Sequence, residues 1–191
     1  MDLQQQSDER LMQLVANDQR EPLTLLLRRH ANSVLTFLVR MLGDRARGEE
    51  LFQEIFLAVW TGRQTYRFPR PFRPWLFGIA ANHCRNERRR RERQPVAVDS
   101  AALEASGEST DSPLAGAIAT ETRLLVEDAV ATLPAQQRTV VVLRVWNGCS
   151  FAEIAESIGC SEVTARSHLC LALGTLRKHL EPKLGDEVRR G

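Results

Sequence analysis

The chain has 191 residues, of which 43% are hydrophobic and 26% charged, so it can form one ordinary domain or two small ones with packed cores. No apolar run reaches membrane-spanning length, and the N-terminus lacks a basic segment followed by an apolar one. These features argue against membrane and secreted proteins. We expect a soluble intracellular protein whose four cysteines are reduced thiols.

Charge is unevenly distributed along the chain, although the net charge is only +2. Residues 61–93 contain ten Arg and two Glu, whereas residues 94–122 contain five acidic residues and no Lys or Arg. A basic block is therefore followed by an acidic one, and the small net charge of the whole chain conceals both. The basic block suits a polyanionic partner, but it also suits a solvated helix end.

Helical periodicity dominates the first half of the chain, where apolar side chains largely recur at three- and four-residue spacing. Ser7 is placed to cap the first helix, and Gly43 is placed to end the second. A proline-rich loop separates the third helix from the fourth. The predicted helices cover residues 7–17, about 22–42, 45–61 and about 74–93.

The middle of the chain, residues 94–119, is rich in Ala, Ser, Gly and acid, which predicts a flexible acidic linker. In the second half, the run TVVVLRVW at residues 139–146 resembles a strand. Pro134 and Gly148 nevertheless suit the two ends of a helix, so helix is predicted there. The predicted helices of this half cover residues 120–132, 134–147, 150–158 and about 161–180.

These elements predict an all-α fold made of two small helical domains joined by the flexible acidic linker. The first domain, here called the N-terminal lobe, comprises residues 1–93. The second, the C-terminal lobe, comprises residues 120–184 and is followed by a tail at 185–191. No convincing alternating strand interrupts either lobe.

A helix-turn-helix is the strongest local pattern in the C-terminal lobe. Ser150 with Glu153 fits a capping box at the start of one helix. Gly159 can then supply a positive-φ turn, and Ser161 is placed to cap the next helix. In this motif the second helix enters the major groove of DNA. An ordinary helical hairpin is the alternative, but the spacing favours a DNA-binding helix whose early turns carry Thr164, Arg166, Ser167 and His168.

The N-terminal lobe carries a mixture of aromatic and arginine residues that is typical of binding to unpaired bases. Six of the eleven aromatic residues lie between Trp60 and Phe77, and they alternate with arginines. Aromatic rings stack on exposed bases while Arg binds phosphates. In the following helix, residues with amide or guanidinium groups recur at three- and four-residue spacing and share one face: Asn82, Arg85, Asn86 and Arg89. Core packing of Trp75, and solvation of the arginines from Arg88 onward, are the alternatives.

Three motifs, in this order, resemble those of the extracytoplasmic-function (ECF) sigma factors, the smallest sigma-70-type initiation factors of bacterial RNA polymerase. LGDRARGEELFQEIFLAVW is similar to the region-2 helix that binds the polymerase clamp, and PWLFGIAANHCRNERRR is similar to the helix that melts and reads the minus-10 element. LPAQQRTVVVLRVWNGCSFAEIAESIGCSEVTARSHL resembles region 4, which binds the polymerase flap and reads the minus-35 element.

The resemblance implies three binding surfaces. The core polymerase would be bound by Glu50, Phe52, Gln53, Glu54 and Phe56. Minus-10 DNA would be bound by the base-capturing loop and the helix that follows it, through Tyr66, Arg67, Phe68, Arg73, Asn82, Arg85, Asn86 and Arg89. Minus-35 DNA would be bound by Ser161, Thr164, Arg166, Ser167 and His168.

The resemblance also implies partners and a location. The acidic linker would thread the nucleic-acid channels of the polymerase, where its negative charge would imitate RNA. An anti-sigma factor, often membrane-bound, would cover the polymerase-binding surfaces. The protein would then be cytoplasmic and held at the inner membrane when that inhibitor is bound.

Other functions fit the residues less well. A helix-turn-helix regulator that binds duplex DNA without polymerase would need a sensing or dimerising domain, and an RNA-binding protein would not need the helix-turn-helix. The carboxylates Glu49, Glu50 and Glu54 lack a partnered His nearby in sequence, and no phosphate loop or nucleophile motif is present. We therefore predict no enzymatic activity, no cofactor and no small-molecule substrate. Structural thiols are favoured over a metal site built from Cys149, Cys160, Cys170 and His168.

Overall fold

The computed structural model describes residues 2–93 and 113–188, and throughout these ranges the regular structure is helical. Short 3₁₀ turns at Leu3–Gln5 and Arg63–Thr65 accompany the longer helices, and no strand occurs in the described ranges. The predicted all-α class is confirmed. The helices are α1 (Asp8–Ala16), α2 (Glu21–Leu42), α3 (Arg45–Thr61), α4 (Phe72–Arg93), α5 (Pro113–Thr132), α6 (Ala135–Val141, continued by a π-helical turn at Val142–Trp146), α7 (Phe151–Ile158) and α8 (Glu162–Val188).

The ends of the helices follow the capping chemistry of the sequence. The Ser7 hydroxyl accepts a hydrogen bond from the backbone N–H of Arg10 at the start of α1. Gly43 ends α2 with a φ of 67°, and Asp44 caps α3 by accepting from the backbone N–H of Arg47 at 3.0 Å. Gly43 and the Asp44 cap together fix the sharp turn between α2 and α3.

Two helices extend beyond their predicted ends. The linker prediction placed the start of α5 near residue 120, but α5 begins at Pro113, because proline suits a first turn and the following segment is rich in helix-forming Ala. The α8 helix was predicted to end before Pro182 but continues through it. Lys183, just beyond this proline, binds Asp128 of α5 at 3.1 Å and anchors that turn. The rest of the predicted linker, residues 94–112, and the last residues of the tail lie outside the described residues.

The core runs through both lobes. In the N-terminal lobe, α1–α4 bury Leu11, Phe37, Ile55 and Phe77 at 0% exposure. In the C-terminal lobe, α5–α8 enclose a smaller core that includes Val140, Leu143, Ile154, Ala165 and Ala172. The two lobes are packed together, mainly through α4 against α7 and through α2 against the π-helical turn. The sequence patterns predicted two lobes but not this contact.

Candidate nucleic-acid interface

The α7–turn–α8 segment has the geometry of a helix-turn-helix. Ser150 and Glu153 form both bonds of the capping box, with the Ser150 N–H donating to the Glu153 carboxylate at 2.7 Å. Gly159 adopts a φ of 68° in the turn. Ser161 then accepts from the backbone N–H of Thr164 at 3.0 Å and so caps α8. Ala165 of α8 is fully buried, and α7 and α8 pack against each other.

The residues predicted to bind minus-35 DNA lie at the start and in the first turns of α8. Some of their side chains are exposed, and others already contact neighbouring groups of the protein. Ser161 and Thr164 are exposed. The Arg166 guanidinium lies 4.3 Å from the centre of the Phe151 ring and 3.4 Å from the Glu162 carboxylate. The Ser167 hydroxyl donates to a backbone carbonyl of the same helix at 2.9 Å. His168 is half-buried, and its Nδ1 atom has no hydrogen-bond partner among the described residues.

Val163 was missed by the sequence reasoning, although it is the most prominent apolar group on this surface. Its side chain is 73% exposed in the first turn of α8. A single exposed aliphatic residue is ordinary in a protein surface, so the sequence alone carries no signal for it. On a helix that enters the major groove, however, an aliphatic side chain is suited to contact with a thymine methyl.

The predicted amide and guanidinium face of α4 exists. Asn82, Arg85, Asn86 and Arg89 are all exposed, and Arg85 donates to the Asn82 side-chain carbonyl at 3.0 Å. None of the ion pairs among the described residues involves Arg85 or Arg89. This face therefore presents two guanidinium groups that are not neutralised by a carboxylate within the described ranges.

Other arginines of the same run have a structural role. Glu87 is only 4% exposed and accepts from Arg47 of α3 at 2.9 Å and from Arg91 at 3.3 Å. The hydrogen bond from Arg47 lowers the pKa of Glu87 from its usual value of 4.5. Arg91 also binds Asp44 at 3.1 Å, and Arg90 lies 3.3 Å from Glu87. The arginine run thus divides into groups that fasten α4 to α3 and groups that face solvent.

The loop before α4 also divides into buried and exposed groups. Tyr66 is 5% exposed, its ring packs edge-on against Trp75, and its hydroxyl donates to the Arg70 carbonyl. Burial raises the pKa of Tyr66 to about 12. This ring is not available for stacking on a base in the observed arrangement, because the core already surrounds it. Phe68 is 50% exposed and offers the open ring of the loop, with Arg67 exposed beside it.

Two arginines, Arg70 in the loop and Arg73 in the first turn of α4, are bound to the C-terminal lobe. Arg73 lies 3.3 Å from the Glu153 carboxylate and also donates to the Asn147 carbonyl. Arg70 donates to Glu156 at 2.7 Å. The guanidinium of Arg73, which was predicted to bind minus-10 DNA, is therefore already bound by groups of the C-terminal lobe in this structure.

The outer face of α3 is the surface predicted to bind polymerase. Glu50, Gln53 and Glu54 are exposed, and Phe52 is half-buried. Phe56 is 6% exposed and packs under Phe52 with ring centres 4.9 Å apart, so it supports the surface from below. Leu57, at 62% exposure, supplies the exposed apolar group that the sequence reasoning missed.

Among the described residues, the thiols and the remaining polar clusters form no metal-binding site. Burial raises the pKa of Cys84 to about 12 and that of Cys149 to about 11, whereas Cys170 is exposed. Within residues 2–93 and 113–188, no group of three or more His, Cys, Asp or Glu side chains is arranged to hold a metal ion. No helix in the described part of the chain is long and apolar enough to cross a membrane.

Comparison with protein families gives two matches. The model for sigma-70 region 2 matches residues 26–94, which include most of α2 and all of α3 and α4. The model for sigma-70 region 4 matches residues 123–176, which include the second half of α5, all of α6 and α7, and the first half of α8. The region-2 match contains the α3 and α4 surfaces, and the region-4 match contains the α8 surface. Region 2 thus contains the exposed face of α4, and region 4 contains the helix-turn-helix.

Individual relatives agree with these matches. The chain is 27% identical over 191 residues to the RNA polymerase sigma-H factor of Pseudomonas aeruginosa, covering 96% of this chain and 99% of that one. It is 33% identical over 153 residues to the ECF RNA polymerase sigma factor SigL of Mycobacterium tuberculosis, covering 80% and 85% of the two chains. The fold is similar to that of the sigma factor RpoE in its co-crystal structure with the anti-sigma factor NepR from Bartonella quintana, with a TM-score of 0.67 and 20% identity over 83% of this chain and 96% of that one. This chain therefore belongs to the family of ECF RNA polymerase sigma factors.

Proposed function

We propose that this sigma factor directs the core RNA polymerase to promoters by holding the unpaired minus-10 strand on α4 and the minus-35 duplex on α8. The observation that carries the proposal is the solvent-facing set Asn82, Arg85, Asn86 and Arg89, in the same chain as a helix-turn-helix. Amide and guanidinium groups recognise base edges and phosphates, and the helix-turn-helix reads the major groove. The outer face of α3 would bind the polymerase through Glu50, Phe52, Gln53, Glu54 and Leu57.

The loop contributes to promoter melting through Phe68 and Arg67. An exposed ring stacks on an unpaired base, so a flipped base is bound better than a stacked one and the open promoter is favoured. Tyr66 acts by positioning the loop, because its ring and its hydroxyl are both engaged inside the lobe. The protein acts by binding and makes no covalent bond, so we propose no enzymatic activity.

The division of labour follows the predicted domains. Residues 1–93 would form the region-2 domain and residues 120–184 the region-4 domain, with the acidic segment between them lying in the polymerase channels. Each DNA-facing surface is small, and linking two weak readers on one polymerase raises their effective concentration. The site of action is the cytoplasm, where the polymerase and the chromosome are.

An anti-sigma factor is the proposed inhibitor. The related RpoE structure contains an anti-sigma factor. Both lobes of this chain carry exposed apolar side chains that a helical partner could bury: Leu57, Leu124 and Leu171. A pull-down from cells should recover such a partner together with the polymerase. Recovery of polymerase alone, under conditions that repress the target promoters, would contradict this part of the proposal.

Run-off transcription tests the main proposal. The purified chain is mixed with bacterial core polymerase and a library of upstream regions, and specific initiation from a subset of templates is expected. Core polymerase without the chain is the control. If no template initiates specifically, the proposal is wrong. Tight binding to duplex promoter without polymerase would instead favour a helix-turn-helix regulator.

A further inference from the structure

A cavity of about 270 Å³ lies between α2 and α4 of the N-terminal lobe and α6 and α7 of the C-terminal lobe. Its apolar wall is formed by Met41, Leu42, Ala81, Ala135 and Ile158. The volume is close to the lower end of the range for small-molecule pockets, which begins at about 300 Å³. The cavity can therefore hold the body of a small apolar ligand.

Four arginines line the same cavity, with Arg85, Arg88 and Arg91 coming from α4 and Arg138 from α6. None of the residues that the structure places around the cavity is acidic. Burial raises the pKa of the Cys84 thiol, which also lines the cavity, to about 12, so this group is neutral near pH 7. An apolar cavity that is surrounded by guanidinium groups and has no carboxylate in its wall favours an anionic ligand.

The α4 arginines differ in how far their charge is already neutralised. Arg91 pairs with carboxylates of its own lobe. Arg88 pairs with Glu92 at 2.9 Å, where both side chains are largely exposed, and such surface pairs contribute little. Arg85 forms no ion pair with the described residues. Arg85 and Arg88 can therefore take part in binding an anion.

Arg138 points most clearly to an anion. Its guanidinium donates to the backbone carbonyls of Met41, Ala131 and Leu133, and its buried Nε atom has no hydrogen-bond partner among the described residues. The carbonyls hold the side chain in place, but they carry no full negative charge. Burial and the neighbouring charge of Arg88 lower the pKa of Arg138. Buried charges in proteins are normally paired, so a guanidinium in this setting favours an acidic partner.

From the cavity and its arginines we infer that this chain binds a small amphipathic anion, with an aliphatic body against Met41, Leu42 and Ile158 and a carboxylate or phosphate against Arg138 and Arg88. An aliphatic body is favoured over a nucleobase, because no aromatic side chain of the described residues lines the cavity to offer a stacking surface. The planar guanidinium can bind either oxyanion through two parallel hydrogen bonds, so both headgroups suit the site. The site does not depend on the proposed promoter function.

Isothermal titration calorimetry of the full-length chain tests the site, with decanoate and decyl phosphate as separate probes. At least one of them should show saturable binding of a single molecule. The dissociation constant should be on the order of 100 μM, the scale set by a ligand of about twelve non-hydrogen atoms. Decanol has the same body without the charge and inorganic phosphate has the charge without the body, so each should bind at least about tenfold more weakly. The headgroup that binds more tightly distinguishes a fatty acid from a lipid phosphate.

Two pairs of variants locate the ligand. Arg138→Gln should weaken binding by about tenfold, the loss expected for a charge-assisted hydrogen bond. Arg144→Gln is its matched control, because Arg144 is an exposed arginine of the same lobe that does not line the cavity. Ala135→Leu should abolish binding by filling the cavity, whereas Ala152→Leu changes an exposed alanine of α7 outside it and should bind as the wild type does. Circular dichroism confirms that each variant retains its helices.

Each outcome supports the site or overturns it. If the wild-type chain binds neither anion saturably, or if Ala135→Leu binds as well as Ala152→Leu, the cavity does not take such a ligand. A further chain, in which the four acidic residues of 94–112 are replaced by their amides, is titrated in parallel. If only this chain binds the probes, the acidic segment itself occupies the cavity and the proposed ligand is wrong. Run-off transcription without added anion tests the proposed function separately, so the two proposals can fail independently.

Discussion

The two proposed DNA-facing surfaces are built in different ways. On α4, the exposed guanidinium groups of Arg85 and Arg89 stand beside a network in which buried Glu87 binds Arg47 and Arg91. On α8, the Arg166 guanidinium packs against Phe151 and pairs with Glu162, and the other exposed groups of the first turns are hydroxyls and one aliphatic side chain. The first surface is charged and held by ion pairs, and the second is nearly neutral and held by helix caps and small apolar contacts.

This difference shows that the number of arginines in a helix does not tell how many guanidinium groups are available to bind DNA. Within α4, Arg88, Arg90 and Arg91 each lie near a carboxylate of their own lobe, so much of the charge serves the fold. The two surfaces should consequently respond differently to acid, to salt and to substitution.

Glu87→Gln should weaken the framework of the first surface. Removing the charge leaves the Arg47 guanidinium, at 17% exposure, without its buried partner, and we expect a loss of about 2–3 kcal/mol in the unfolding free energy of the N-terminal lobe. Urea denaturation followed by circular dichroism measures it. Glu92→Gln is the control, because Glu92 pairs with Arg88 where both side chains are largely exposed. Equal stability of the two variants would show that Glu87 does not support the lobe.

Acid should reproduce the effect of this substitution. The folded-state pKa of Glu87 is lowered below its usual 4.5, so the pair contributes its full stability above that pH and loses it as the pH falls through the lowered value. The stability difference between the wild-type chain and Glu87→Gln should therefore be constant near neutrality and shrink on acidification. A difference that grows towards low pH would contradict the assignment.

Elements with a local chemical signature could be predicted from the sequence. The capping box at Ser150, the turn at Gly159 and the shared face of Asn82 and Arg85 depend on spacing alone, and the structure contains all three. Helix starts with a clear cap, such as that of α3 after Asp44, also agree with the prediction. Local spacing was therefore enough for the helix-turn-helix and for one face of α4.

Features that depend on distant residues could not be predicted in this way. A glutamate within an arginine run has the pattern of a solvated helix end, and the sequence gives no sign that Arg47 of α3 pairs with Glu87, which is 4% exposed. Tyr66 belonged to an aromatic series suited to stacking, but the neighbouring rings of Phe72 and Trp75 enclose it. The contact between α4 and α7 joins residues about 80 positions apart, for which a single sequence carries no signal.

Alanine substitution of Arg85 and Arg89 together should impair promoter opening while association with core polymerase persists. Two charge-assisted contacts of about 1 kcal/mol each correspond to a loss of about thirtyfold in open-complex formation. The dependence of single-strand affinity on salt should also become shallower by about 1.4 in the log–log slope, since each phosphate contact contributes about 0.7. Arg88→Ala is the single-charge control because Arg88 already pairs with Glu92. Loss of polymerase association together with opening would indicate misfolding instead.

Phe68→Ala separates stacking from charge on the same surface. Its ring is the half-exposed aromatic of the loop, and removing a stacked ring costs about 1–3 kcal/mol per base, so open-complex formation should fall by about tenfold. The salt dependence should stay as in the wild-type chain, because no phosphate contact is lost. Fluorescence of 2-aminopurine in the minus-10 region measures the opening. A shallower salt slope in this variant would contradict the separate roles of ring and guanidinium.

The smallest expected effect concerns the second surface and the methyl groups of Val163. If this side chain contacts a thymine methyl in the major groove, deoxyuridine at that position should weaken wild-type binding by about threefold, the loss expected for one buried methyl group. Val163→Ala should bind the thymine template about threefold less well and should no longer distinguish thymine from deoxyuridine. Holoenzyme binding to templates substituted one position at a time within the minus-35 element measures both changes. Because Val163 is 73% exposed, its replacement removes no core contact, so an unchanged melting temperature is expected with the altered preference. Persistent discrimination by Val163→Ala would assign the reading of that base to Thr164 or Ser167 instead.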